Sequence, residues 1–225
     1  GMSFDIKNFS NDAIDSWKWF RNEVFIQSVW KDRFALGGGF SHDYFESEKN
    51  GQNDKVERYL NPYVFLKSDT QNDKDFPTKG FYLNAEGKII DLFNSELEKK
   101  PITIKADIKM NFFISKIFTY RLNLYGGITI GEETLPSFYQ YRVGGIFEQS
   151  IVNFKRFGGY QFGSLTDNNI FIASNDFQLR FGKNYFLVGN FSLANMFSSI
   201  KFEEADRILY KMDKLYNSNL KLKGY

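Results

Sequence analysis

Two neighbouring stretches of the chain alternate between apolar and polar residues with hardly an exception. From Ile102 the apolar set is Ile102, Ile104, Ala106, Ile108, Met110 and Phe112, interleaved with Thr103, Lys105, Asp107, Lys109 and Asn111. After a break at Ser115 and Lys116 the pattern resumes. Phe118, Tyr120, Leu122, Leu124, Gly126, Ile128 and Ile130 alternate with Thr119, Arg121, Asn123, Tyr125, Gly127 and Thr129. Successive side chains on a strand point to opposite faces, so each stretch predicts a strand with one apolar and one polar face. The short break predicts a tight hairpin. Runs of about 11–13 residues exceed the ~5–6 of most globular strands and suit the ~9–11 of a tilted membrane-crossing strand.

Weaker copies of the pattern cover Glu23 to Trp30, Arg33 to Tyr44, Val56 to Lys67, Gly80 to Ile90, Tyr139 to Ser150, Ile170 to Phe181 and Tyr185 to Phe197. Connections alternate between short and long, as at the two ends of outer-membrane barrels. The expected fold is all-β: an antiparallel up-and-down transmembrane β-barrel, or part of one, with about nine or ten strands. One segment departs from it. Glu203 to Tyr216 places Ile208, Leu209, Met212 and Leu215 at helical spacing, which predicts a short helix in a late loop or against a soluble core. The chain reads as one barrel domain over residues 1–225. Gly1 before Met2 reads as a cloning remnant, and the sequence stops at Gly224-Tyr225 where another strand is due. A piece of a larger barrel protein is therefore expected.

Composition narrows the function classes. Aromatic residues are 19% of the chain, which suits a protein with apolar surface on two sides. The mean hydropathy of −0.42 and the lack of a long apolar run argue against membrane-spanning helices, but a barrel lumen is polar, so they do not argue against a barrel. The net charge of +2 gives no case for nucleic-acid binding. With no Cys and one His, His42, the sequence lacks the means for disulfides, thiolate sites or a multi-histidine metal centre, and no cofactor is expected.

The polar stretch from Ser68 to Phe81 joins two predicted strands and is closed by Pro77 and Gly80, one fixing φ and the other permitting positive φ. Its three Asp residues lack the Gly and terminal Glu of a calcium loop. Asp69-Thr70, then Asp73, then Phe76-Pro77-Thr78-Lys79-Gly80 leading into a strand, resembles the bacterial surface antigen barrels. That family includes the outer-membrane assembly and two-partner secretion barrels. Arg142-Val143-Gly144-Gly145, then Phe157-Gly158-Gly159-Tyr160 and a strand ending Gln178-Leu179-Arg180-Phe181, is similar to the family's Gly-Gly strand, inward-folded loop and next strand. In the assembly barrels an Arg directly precedes Gly-Tyr; here Gly158 stands there and Arg156 lies two residues back.

Phe25 to Trp30 and Asn190 to Asn195 look most like the barrel at the C-terminus of patatin-like phospholipases. The resemblance implies a bacterial outer-membrane location, with lipid as one partner and an N-terminal passenger or lipase domain as another. The catalytic half of that family is not matched. Its chemistry needs a Gly-x-Ser-x-Gly elbow, and the nearest sequence, Gly39-Phe40-Ser41-His42-Asp43, lacks the second Gly. On a strand Ser41 and Asp43 share a face while His42 points away. No enzyme activity is expected of this chain.

Gly37, Gly38 and Gly39 interrupt a strand pattern without a following helix, which points to close backbone packing. Lys105, Asp107, Lys109 and Arg121 fall on the lumen side, either as mutually paired interior charges or as a substrate pathway. Two functional readings follow. In one, an outer-membrane barrel anchors, displays or translocates a partner domain. In the other, a soluble barrel binds an apolar small molecule among its Phe residues. A girdle of Tyr and Trp at strand ends favours the first. Trp17, Trp19, Trp30, Tyr59, Tyr82 and Tyr139 lie near predicted ends, while Tyr120 and Tyr125 lie mid-strand.

Overall fold

A computed structural model describes residues 8–10, 13–49, 52–91, 100–131, 135–136, 138–145, 153–161, 163–182 and 185–197, except the side chains of 8–17, 47–49 and 52–55. The long alternating segments are strands: β1 (Asn8–Ser10), β2 (Ala13–Trp30), β3 (Phe34–Lys49), β4 (Gln52–Asp69), β5 (Gly80–Ile89), β6 (Ile102–Phe113) and β7 (Phe118–Ile130). Three short strands follow, β8 (Tyr141–Val143), β9 (Phe154–Lys155) and β10 (Leu165–Asp167), and then β11 (Asn169–Phe181) and β12 (Tyr185–Phe197). One nine-stranded sheet runs β1-β2-β3-β4-β5-β6-β7-β11-β12, with every neighbouring pair antiparallel. Among the described residues no ladder joins β12 back to β1 or β2, so the wall is a partial up-and-down barrel.

Register fixes the two faces. Ile104 opposes Ile128, Ile108 opposes Leu124, and Met110 opposes Leu122, while Lys109 opposes Asn123 and Asn111 opposes Arg121. Directly opposed residues share a face, so the apolar and polar sets separate completely. The apolar set points outward. Val24 and Ile26 are 77% and 80% exposed, and Leu36, Val64, Phe171, Leu187 and Leu193 are exposed with them. The polar set lines the concave side. Curvature is evident where Phe76, between β4 and β5, stacks on Phe186 of β12 with ring centroids 4.2 Å apart.

β2 and β4 are 18 residues each and β3 is 16, longer than the periodicity predicts. At ~3.3 Å per residue such strands reach well past an apolar band ~25 Å tall, even when tilted. Their far ends carry polar residues outward as well, as in Lys18, His42, Glu46 and Arg58. Turns at one end of the wall are short at 31–33, 114–117 and 182–184, with a longer loop at 70–79. The other end carries a two-residue connection at 50–51 and longer ones at 90–101 and 131–168.

The stretch from Tyr139 to Ser150 is not a wall strand. Only Tyr141–Val143 is extended among its described residues. That piece pairs antiparallel with β10 and parallel with β9 in a separate three-stranded sheet. Its alternation records burial against the inside of the barrel rather than against lipid. The helix expected at Glu203 to Tyr216 lies outside the described residues.

Candidate functional site

Two inserts furnish the concave side. The first is the 70–79 loop, a tightly bonded bridge between β4 and β5. Thr70 Oγ1 accepts from Phe81 N at 2.9 Å, and Asn72 Oδ1 accepts from Thr78 N and Lys79 N at 3.0 and 2.9 Å. Asp69 Oδ1 caps Gln71 N at 2.9 Å. Asp73 Oδ1 takes both Asp75 N and Phe76 N, at 2.9 and 2.8 Å, and these amides hold its carboxyl below the usual range. Pro77 is buried. Gly80 has φ of +89°, and a Cβ there would lie 2.2 Å from Thr70 O, so the position needs glycine.

The second insert is the segment between β7 and β11, which enters the lumen and carries β8, β9 and β10. Its Gly-Gly pair turns the chain sharply: Gly144 sits at φ +138°, where a Cβ would collide with Gln161 O. Gly145 N donates to Tyr160 O at 2.9 Å, and Gly145 O accepts from Phe157 N at 3.0 Å. Gly159, at φ +92°, forms the exposed tip beside Tyr160.

This segment grips the wall in three places. Tyr141 lies on Gly127, whose missing side chain makes the room: a Cβ there would be 2.2 Å from the ring. Lys155 Nζ meets Asp107 Oδ2 at 2.8 Å and lies over the Tyr125 ring. On the opposite wall Tyr139 donates to Asp43 Oδ2 at 2.6 Å. Asp43 is fully buried and also takes Arg21 Nη2 at 3.0 Å, Arg21 Nε, and Asn61 Nδ2 at 2.9 Å. Burial next to this carboxylate raises the Tyr139 phenol well above its ordinary value, so it remains the donor. Phe45, Tyr59, Phe138 and Trp19 pack around the network.

Arg21, Asp43, Asn61 and Tyr139 are the functional residues that sequence reasoning misses. Their only signal was the shared face of Ser41 and Asp43. Both are buried, and His42 is exposed on the other side.

The four charges expected on the lumen side all lie on the concave face. Lys105 bonds Glu86 at 3.1 Å, Asp107 takes Lys155, and Arg121 Nη2 meets Asp176 at 3.0 Å. Asn123 and Asn190 complete the Asp176 shell. Lys109 lies 5.0 Å from the Tyr82 ring centroid. A cavity of about 890 Å³ remains between β5–β7, β11, β12, the 70–79 loop and the tip at Lys155 to Gly158. Its wall is too polar for an apolar ligand. The Phe-rich face is turned outward, which overturns the soluble-barrel reading.

The expected Tyr and Trp girdle is also corrected. Trp19, Tyr59, Tyr82 and Tyr139 face inward and serve the lumen network and cavity, while Trp30 faces outward beside Phe34 at 5.3 Å. Phe residues supply most of the outward aromatic surface.

A family model describing the OMP85 superfamily matches residues 3–216. The chain belongs to the OMP85 superfamily. The chain is therefore an outer-membrane β-barrel domain of bacteria, of a superfamily that works in assembly or secretion at that membrane. No curated protein matches the chain. In OMP85 terms the 70–79 loop and the Gly144 to Tyr160 segment are the two regions whose motifs carried the resemblance. Here an Arg does not precede Gly159-Tyr160, and Lys155 makes the contact to the wall.

Proposed function

We propose that this chain is the membrane-embedded domain of a larger protein, and that it anchors, displays or translocates a passenger domain, a patatin-like lipase being the best fit. The supporting observation is the combination of an apolar outward face with a lumen occupied by a segment pinned at Asp43 and Asp107. A domain built this way holds its place in lipid while its interior stays filled. The passenger then depends on the barrel for position, and the barrel supplies no chemistry. The motif residues Asp69, Asp73, Phe76, Pro77, Gly80, Gly144, Gly145, Gly159 and Tyr160 serve the two inserts rather than a reaction.

The test is to express the full-length protein with an epitope-tagged N-terminal domain in a Gram-negative host and treat intact cells with protease. Cleavage of the tagged domain on intact cells, lost when the barrel is disrupted, is the expected result. A tagged domain that stays soluble in the periplasm whether or not the barrel is intact refutes the reading. The purified chain should also leave a generic ester unhydrolysed. Hydrolysis abolished by Ser41→Ala would show that the barrel itself is catalytic.

A further inference from the structure

The cavity wall contains four donor-bearing side chains at the corners of one square. Lys109 and Asn111 alternate on β6, Arg121 and Asn123 on β7, and the register opposes Lys109 to Asn123 and Asn111 to Arg121. All four point to the concave face and line the cavity. Opposed pairs sit ~4.5–5.5 Å apart at Cβ, and the diagonal Lys109–Arg121 pair ~7–8 Å. Two cations thus occupy one diagonal of the square, a repulsive arrangement unless anions compensate both.

Compensation is uneven. Arg121 spends Nη2 on Asp176, whose oxygens also receive Asn123 and Asn190. Lys109 has no carboxylate partner among the described residues and rests on the Tyr82 ring. Asn111 gives one amide hydrogen to Gly80 O at 2.9 Å and Asn123 gives one to Asp176, so each keeps a second hydrogen. Lys74, on the 70–79 loop, adds another cation to the same cavity, against Asp75. Among the described residues five cations, Lys74, Lys109, Arg121, Lys155 and Arg156, face three carboxylates, Asp75, Asp107 and Asp176, around this cavity, and such an excess of donors is the recognition chemistry of an oxyanion.

We infer that the Lys109–Asn111–Arg121–Asn123 square is a binding site for a water-borne oxyanion, a phosphate, sulfate or carboxylate group on a small solute. The site is on the lumen face, with the sheet between it and the lipid-facing side chains, so the ligand reaches it through water. Lys109 supplies the charge and the two Asn residues orient the oxygens.

The test uses the whole chain folded in detergent and titrated with inorganic phosphate at constant ionic strength, with binding followed calorimetrically. Saturable binding is expected, weakened tenfold or more by Lys109→Gln and retained by Lys109→Arg and by Lys116→Gln in the 114–117 turn. Heat-dependent mobility on a gel verifies that each variant is folded. If Lys109→Gln does not fold, Asn111→Ala is titrated in its place and is expected to weaken binding by a smaller factor. The site is refuted if phosphate does not bind, if Lys109→Gln or its substitute binds as the parent does, or if only a phospholipid headgroup in mixed micelles binds.

Discussion

The two sides of the lumen deal with charge in opposite ways. On the β2–β4 side, Asp43 is fully buried, collects donors from Arg21, Asn61 and Tyr139, and is sealed beneath Phe45, Tyr59 and Phe138. On the β5–β12 side, Asp107 meets the single cation Lys155 at the border of an open cavity, with both side chains partly exposed. The inserted segment causes the difference, because its aromatic start covers the first side and its tip only roofs the second. A buried carboxylate must be satisfied by protein groups, whereas one at a wet cavity keeps water as a partner.

The strongest way to break this contrast is Asp43→Ala. It leaves the largely buried Arg21 guanidinium with only Glu23, 3.7 Å away, as a counterion and Tyr139 and Asn61 without their acceptor, and should cost about 3 kcal/mol in detergent unfolding measurements. Next comes the lipid face that both sides share. Leu122→Arg near mid-strand should cost about 2–4 kcal/mol in liposomes and an Arg near the strand end about 0–1, so an Arg scan from Phe118 to Ile130 should peak in the middle. Gly127→Ala pushes on the Tyr141 ring and should cost about 1–3 kcal/mol, with loosening of the inserted segment visible as protease sensitivity. Asp107→Asn sharpens the comparison from the wet side. Lys155 and Asp107 are both partly exposed at the cavity, so water can solvate Lys155 and the loss should stay under about 1 kcal/mol, well below that of Asp43→Ala. Equal losses at Asp43 and Asp107 would mean that the two sides do not differ.

The smallest effect concerns Asp73 and pH. Its carboxyl sits below the ordinary range in the folded loop because two amides bond its charged form. The stability it contributes is present above the unfolded-state value and is lost as pH falls through the folded one. Protection of the Asp75 and Phe76 amides in hydrogen exchange should persist through the ordinary carboxylate range and vanish only at lower pH. Asp73→Ala should remove that pH dependence.

The hairpin of β6 and β7 was legible in the sequence because lipid on one side and polar lumen on the other impose strict alternation. The same rule failed at Tyr141–Val143, where alternation reflects burial within the lumen and the partners are β9 and β10. It also failed at the far ends of β2 to β4, where water bathes both faces and no period remains to be read. The individual charges Lys105, Asp107, Lys109 and Arg121 could be placed on a face from their spacing alone. The Asp43 network could not, since Tyr139 lies 96 residues from Asp43 in sequence and reaches it only through the inserted segment.

That segment starts after Ile130 and ends before Asn169, at one rim, where Gly127 and Ile170 are paired neighbours. A chain that enters and leaves at the same rim is a hairpin laid into the concave side of the wall and not a thread passed along it. Withdrawing it would break the Tyr139–Asp43 and Lys155–Asp107 contacts and uncover Tyr141, but no hydrogen bond of the nine-stranded ladder. The hydrogen bonds that hold the wall's strands together are therefore independent of the segment that fills its concave side.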